Sequence, residues 1–178
     1  VKHLFNFLAV HNAGSLPVWM TECGTKEEGS GARASVVRPG VWEHDEKQER
    51  FYAGFLPKIQ IILQSLGIER SFFFVFPPFN ENSGTKDWGI MRRDFTVKSG
   101  YAAFSTLTFC LGNAVFRGRY GKTAGVESYL YELPDGTQTI AFWRTSKRDN
   151  SRTVFFPAPS GTKGRLTNCV GSECIVTA

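Results

Sequence analysis

Hydrophobic positions along the first 112 residues alternate between helical and extended spacing. Leu4, Phe7, Leu8 and His11 share one face of a predicted helix over Val1–Ala13, with Gly14 as its stop. After a tight turn, Pro17–Glu22 reads as a fully buried parallel strand, because the run Val18-Trp19-Met20 is apolar and ends in Thr21-Glu22-Cys23-Gly24. The polar Thr25–Gly40 stretch then predicts a long functional loop. A second helix is predicted over Asp45–Leu66, with Phe51, Phe55, Ile59, Ile62 and Leu66 inward and Gly67 as terminator. Pro57 predicts a kink or a boundary within it. The apolar core Phe72–Phe76 marks a second strand, ended by Pro77-Pro78, and the polar loop Asn80–Asp87 follows. A third helix over about Val97–Leu111 carries Tyr101, Phe104, Leu107 and Leu111, with Gly112 beyond. This helix–strand–helix–strand–helix order is the βα repeat of a parallel sheet or barrel.

Beyond Gly112 the apolar period falls from 3.6 to 2. Glu127–Leu133, Gln138–Thr145, Thr153–Phe156, Arg165–Cys169 and Glu173–Thr177 read as short strands, separated by turns at Pro134–Thr137 and Lys147–Ser151. The expected division is residues 1–112 and 113–178, an α/β part and an antiparallel β module. No Pro- or Ser-rich linker lies between them, so the two are expected to pack together.

Composition narrows the function. The 178 residues are 42% hydrophobic and 21% charged, as in ordinary globular proteins. A net charge of +5 comes from scattered basic residues, which reads as a solvated face and not as a nucleic-acid surface. No apolar run reaches the roughly 18 residues of a membrane span. The four cysteines, at 23, 110, 169 and 174, form no CxxC pair and no Cys/His cluster, so a zinc site is not expected. No cofactor is implied. The run Gly118–Thr123 has two residues between its glycines where a phosphate loop has four, and strands follow it instead of a helix. Spacing leaves open whether Cys169 and Cys174 bridge. An aromatic share of 14% matters more, because stacked rings serve carbohydrate sites as well as packing.

The order of motifs is informative. Thr21-Glu22-Cys23-Gly24 closes a strand, and a helix of about twenty residues follows. An aromatic strand then runs into Pro77-Pro78-Phe79-Asn80-Glu81-Asn82, with Asp87-Trp88-Gly89-Ile90 and Lys98-Ser99-Gly100-Tyr101-Ala102-Ala103-Phe104 beyond. This resembles the seventh and eighth βα units of retaining glycoside hydrolases built on a (β/α)8 barrel, the large clan of cellulases, xylanases and β-xylosidases. The β half resembles the small sandwich such enzymes pack against the barrel. The fold class implied is an α/β barrel fragment, the last two βα units, followed by a small antiparallel β-sandwich. Ser99 departs from the clan's closing motif, which has proline after the lysine. By resemblance the substrate is a β-linked carbohydrate and Glu22 is the nucleophile. The acid/base would end a fourth strand, outside these residues, so the chain is expected to be a C-terminal fragment whose N-terminal barrel portion is missing.

Each candidate residue has a competing role. Trp88 serves either as a sugar-stacking wall or as a core tryptophan closing the barrel. Phe73 lies on the strand where, by the resemblance, many clan members put a tryptophan beneath the bound sugar; phenylalanine could pack there but lacks the indole N–H. Asn80 is a candidate rim contact, whereas Glu81 beside it reads as a solvated loop residue with no catalytic part. Cys23 reads as a small packing residue, since His3, His11 and His44 carry no signature of a thiol partner. In the β module, alternation puts Tyr129 and Tyr131 on one face and splits Phe142 from Trp143, which fits bracing better than sugar binding. The alternative to an enzyme is a non-catalytic carbohydrate-binding or structural module.

Overall fold

The structure, a computed structural model, describes residues 1–25, 27–28, 33–34, 42–43, 46–81, 86–92, 95–121, 123–145 and 156–177; for 27–28, 33–34, 42–43, 46–48, 80–81 and 86–87 it describes the backbone alone. The turn at Lys147–Ser151, His44 and nearly all of the Thr25–Gly40 loop and of the Thr153–Phe156 segment lie outside these residues. The chain divides into two compact units, Val1–Phe104 and Ser105–Ala178.

The first unit runs α1 (Lys2–Val10), β1 (Trp19–Cys23), β2 (Glu27–Glu28), β3 (Arg33–Ala34), β4 (Trp42–Glu43), α2 (Glu46–Ser65), β5 (Arg70–Phe73), β6 (Asn80–Glu81), β7 (Lys86–Asp87) and the start of α3 (Ser99–Leu111). β1 and β5 pair in parallel through the α2 crossover, the βα repeat expected from the apolar periods. β6, β7 and β2 form a small antiparallel ladder, and β3 pairs with β4. Among the described residues no barrel closes.

Four expectations need correction. The first strand is not fully buried: Trp19, Thr21 and Glu22 are exposed, since its sheet has two strands and one covered face. The stop of α1 is Asn12 and not Gly14. Asn12 takes the left-handed conformation (φ 57°) while the amides of Asn12 and Ala13 bond back to Ala9 and Leu8, a Schellman arrangement in which asparagine replaces glycine. Gly67 makes the expected version at the end of α2, with its own amide on Gln64 and that of Ile68 on Leu63. Of the two outcomes expected at Pro57, the boundary is not found, since α2 runs 20 residues through it. The inward stripe of α2 is also not the one expected. Phe51 is 70% exposed, whereas Glu49, Tyr52, Ala53, Leu56 and Leu63 are buried. Rotation by one residue around the helix brings Tyr52 under the sheet, where its hydroxyl finds a partner that Phe51 could not use.

The core of this unit is Tyr52, Leu56 and Ile90, with Phe73 and Phe104 packed against them. Tyr52 meets Phe73 edge-on at 6.3 Å, and Phe73 meets Phe104 at 5.7 Å; such pairs add about 0.5–1.5 kcal/mol each beyond area burial. The ladder strand ends at Phe73, so Phe74–Phe76 of the expected apolar strand leave it: Phe74 lines the site, the Val75 amide donates to the Trp88 carbonyl and Phe76 meets Tyr101.

The second unit contains β8 (Val115–Arg119), β9 (Val126–Glu132) and β10 (Gln138–Arg144) as an antiparallel meander, and β11 (Lys163–Thr167) with β12 (Glu173–Thr177) as a separate hairpin. The antiparallel period of 2 anticipated four of these strands. β8 is additional, in a stretch that alternates too briefly to stand out. Tyr129 and Tyr131 are buried on one face, with Phe116 against both and Trp143 stacked on Tyr129 at 5.2 Å. Burial pushes the Tyr131 phenol far above its ordinary range, with the Tyr129 charge adding to it, and among the described residues its hydroxyl has no hydrogen-bond partner. All four cysteines are free thiols.

Candidate active site

The site of the first unit begins with a register change. Trp19 pairs with Arg70 and Met20 with Ser71, but Cys23 pairs with Phe73, so three steps along β1 match two along β5. Such a bulge re-aims side chains. Had the register continued unbroken, Glu22 would stand opposite Phe73, whose ring lies in the core with Tyr52 and Phe104. A carboxylate driven into that apolar layer is costly. The extra residue hands that place to Cys23, a small apolar thiol, and leaves Glu22 exposed at the end of the strand.

Beyond the bulge the chain is held tightly. The Phe74 amide donates to the Cys23 carbonyl at 2.8 Å. A Cβ at Gly24 would run into the Phe74 carbonyl oxygen, so only glycine lets the two backbones approach this closely. Cys23 is half-buried, and burial raises its thiol above the ordinary range, an inert environment that agrees with packing and not nucleophilic attack.

Glu22 opens into a concavity of about 510 Å3. Its aromatic side is Phe74, Phe79 and Trp88, and Met20, Ile59 and Leu63 supply aliphatic surface. Phe74 is the hub, edge-on to Phe79 at 5.4 Å and to Trp88 at 5.8 Å. Glu22 is the one carboxylate among the described residues lining it. Trp88 is fixed from behind, since its carbonyl accepts the Tyr52 hydroxyl at 2.7 Å and the Val75 amide at 3.4 Å, and its amide donates to Phe79 at 3.0 Å. The segment after it is tied to α2 as well. Arg92 makes a two-pronged ion pair with buried Glu49 at 2.7 and 2.8 Å and donates to the Val97 carbonyl at 2.6 Å.

Of the residues proposed from sequence, Glu22 and Trp88 share this concavity. Phe73 packs in the core, and its neighbour Phe74 lines the concavity instead. Asn80 lies in β6, where only its backbone is described, paired with Asp87. Sequence reading missed Phe74, because the β5 ladder ends at Phe73 and strand alternation no longer fixes the next residue. It also missed Gln60, although a lone polar residue in the run Ile59-Gln60-Ile61-Ile62 was a visible signal. Among the described residues no three His, Cys, Asp or Glu side chains gather to hold a metal, and no helix is long and apolar enough to cross a membrane.

Fold comparison gives a consistent context. A solved structure described as a family 39 glycoside hydrolase from the gut symbiont Bacteroides cellulosilyticus WH2 superposes with a TM-score of 0.66 at 17% identity. The match covers 93% of this chain and 32% of that one, so the chain spans about a third of its structural neighbour. At this identity the likeness is one of fold. No protein-family model matches the chain, and no curated protein is similar to it.

Proposed function

We propose that these residues belong to a retaining glycoside hydrolase acting on a β-linked carbohydrate, and that Glu22 is its nucleophile. The observation that carries this reading is a carboxylate exposed by a bulge at the C-terminal end of a parallel strand, inside an aromatic-walled concavity. Chemistry in barrel folds gathers at that end of the strands. Ring faces such as those of Trp88 and Phe74 complement the apolar faces of a pyranose. The fold likeness to a family 39 glycoside hydrolase supports the same class.

In this reading residues 1–112 are the last two βα units of a (β/α)8 barrel, and residues 113–178 form a small antiparallel β-sandwich. Glu22 attacks the anomeric carbon, the glycosidic C–O bond breaks, and a carboxylic acid about 5–5.5 Å away protonates the leaving oxygen. That acid comes from barrel strands outside these residues. It then takes a proton from water, whose oxygen displaces Glu22 and frees the sugar.

The test uses the full-length protein with 2,4-dinitrophenyl 2-deoxy-2-fluoro-β-glycosides of xylose and glucose. Fluorine at C2 destabilises both cationic transition states, and the dinitrophenolate leaving group restores the first step, so the glycosyl-enzyme accumulates. Mass mapping should find one sugar on the peptide holding Glu22, and Glu22→Gln should abolish labelling and lower turnover by orders of magnitude. A label on a different carboxylate would refute the assignment. Saturable binding of the glycoside with no turnover would favour a non-catalytic carbohydrate-binding module.

A further inference from the structure

Behind the bulge lies a hydrogen-bonded chain of three side chains that the proposed chemistry does not use. The Ser71 hydroxyl of β5 donates to Gln60 Oε1 on α2. Gln60 Nε2 donates to Cys23 Sγ at 3.1 Å. The Cys23 thiol reaches the Phe72 carbonyl at 3.4 Å. All three residues are half-buried. The chain therefore ties the residue next to Glu22 to the neighbouring strand and to the covering helix.

We infer that Gln60 is a positioning residue for Glu22, acting by selecting the bulged register of β1. The inference rests on Glu22 being the nucleophile. Two pairings are available to the end of β1, and a one-residue slip exchanges the faces of adjacent side chains. In the bulged pairing Cys23 sits within reach of Gln60 on α2 at the edge of the concavity, and Glu22 is exposed into it. In the unbroken pairing Glu22 would take the α2 side and Cys23 would move outward. Gln60 discriminates between them because its amide is used at both ends: Oε1 is fixed by Ser71, so Nε2 can meet a sulfur only where the bulge places Cys23. Without that partner its amide N–H would be left half-buried, where an unmade hydrogen bond is expensive. Helix, strand and nucleophile are thereby set in one geometry before substrate arrives, which is what a reacting carboxylate needs.

The test compares Gln60→Leu, Ser71→Ala and Cys23→Ala with the parent in the full-length protein, with rates expressed per folded molecule. Gln60→Leu should lower kcat about 10–100-fold with KM within about twofold, as expected for a reacting group displaced by a fraction of an ångström. Cys23→Ser, which keeps a donor and acceptor at the position, should retain most of the rate that Cys23→Ala loses. The Gln60→Leu/Cys23→Ala double variant should be no slower than the slower single variant, because both break one chain. Exchange of the Phe74 amide with deuterium should quicken in Gln60→Leu, reporting the loosened bulge without reference to activity. Unchanged kcat per folded molecule in both Gln60→Leu and Ser71→Ala, or multiplicative losses in the double variant, would overturn the inference. If Glu22→Gln itself kept turnover, the nucleophile reading would fall instead, and the two failures are told apart by that one variant.

Discussion

Gly100 offers a sharp test of how the core holds Trp88. It is buried in the first turn of α3, and a methyl group there would sit 2.9 Å from Tyr52 Cδ1, 3.2 Å from Ile90 Cγ2 and 3.3 Å from Tyr52 Cε1. At an open helical site Gly→Ala stabilises by about 1 kcal/mol, through lost backbone freedom in the unfolded chain. Here the ring cannot step aside: Tyr52 is 1% exposed, and its hydroxyl is bound to the Trp88 carbonyl at 2.7 Å. Overpacking of this kind costs about 1–3 kcal/mol, so Gly100→Ala should come out destabilising by about 0–2 kcal/mol. The same change in a Tyr52→Leu background meets no ring, only the Ile90 methyl, and should become stabilising by up to about 1 kcal/mol. Urea unfolding of the four proteins, with unchanged slopes, measures the sign reversal. Stabilisation of about 1 kcal/mol by Gly100→Ala in the parent protein would refute the reasoning, since the Tyr52 ring would then be free to yield.

Arg92→Met leaves the Glu49 carboxylate buried without its partner and should cost about 3–5 kcal/mol, most of it recovered when Glu49→Gln is added; additive losses in the double variant would contradict this. In the β9–β10 turn the Thr137 amide donates to Asp135 Oδ1 at 2.9 Å, and this bond, with the Thr137 side chain assisting, holds the Asp135 carboxyl below its ordinary value. A lowered folded value means stability present above the unfolded value and lost as pH falls through the folded one. The carboxyl resonance of Asp135 should therefore titrate at lower pH than that of an Asp in an unstructured peptide, and a midpoint at or above the peptide value would rule this out.

Periodicity carried the order of the longer elements, though not the short strands β2, β3, β4, β6 and β7, nor β8. The α2 and α3 helices, the parallel β1–β5 pair and the hairpin partners β9 and β10 follow from the spacing of apolar residues and from Gly67. These are local signals, because a helix or strand must show one apolar side wherever it finally packs. The candidate nucleophile was legible for the same reason: a carboxylate closing an apolar run has few bland explanations. What the pattern could not determine was which of two adjacent residues faces inward. On α2 the choice between Phe51 and Tyr52 turned on a hydroxyl reaching the Trp88 carbonyl, 36 residues away. On β5 the choice between Phe73 and Phe74 depended on where the ladder ends. On β1 the choice between Glu22 and Cys23 depended on a bulge that exists only against β5 and Gln60. A period of 2 or 3.6 describes a face to within one residue. Only the meeting of distant segments decides that last residue, because the energy that separates the alternatives is stored in contacts absent from either segment alone.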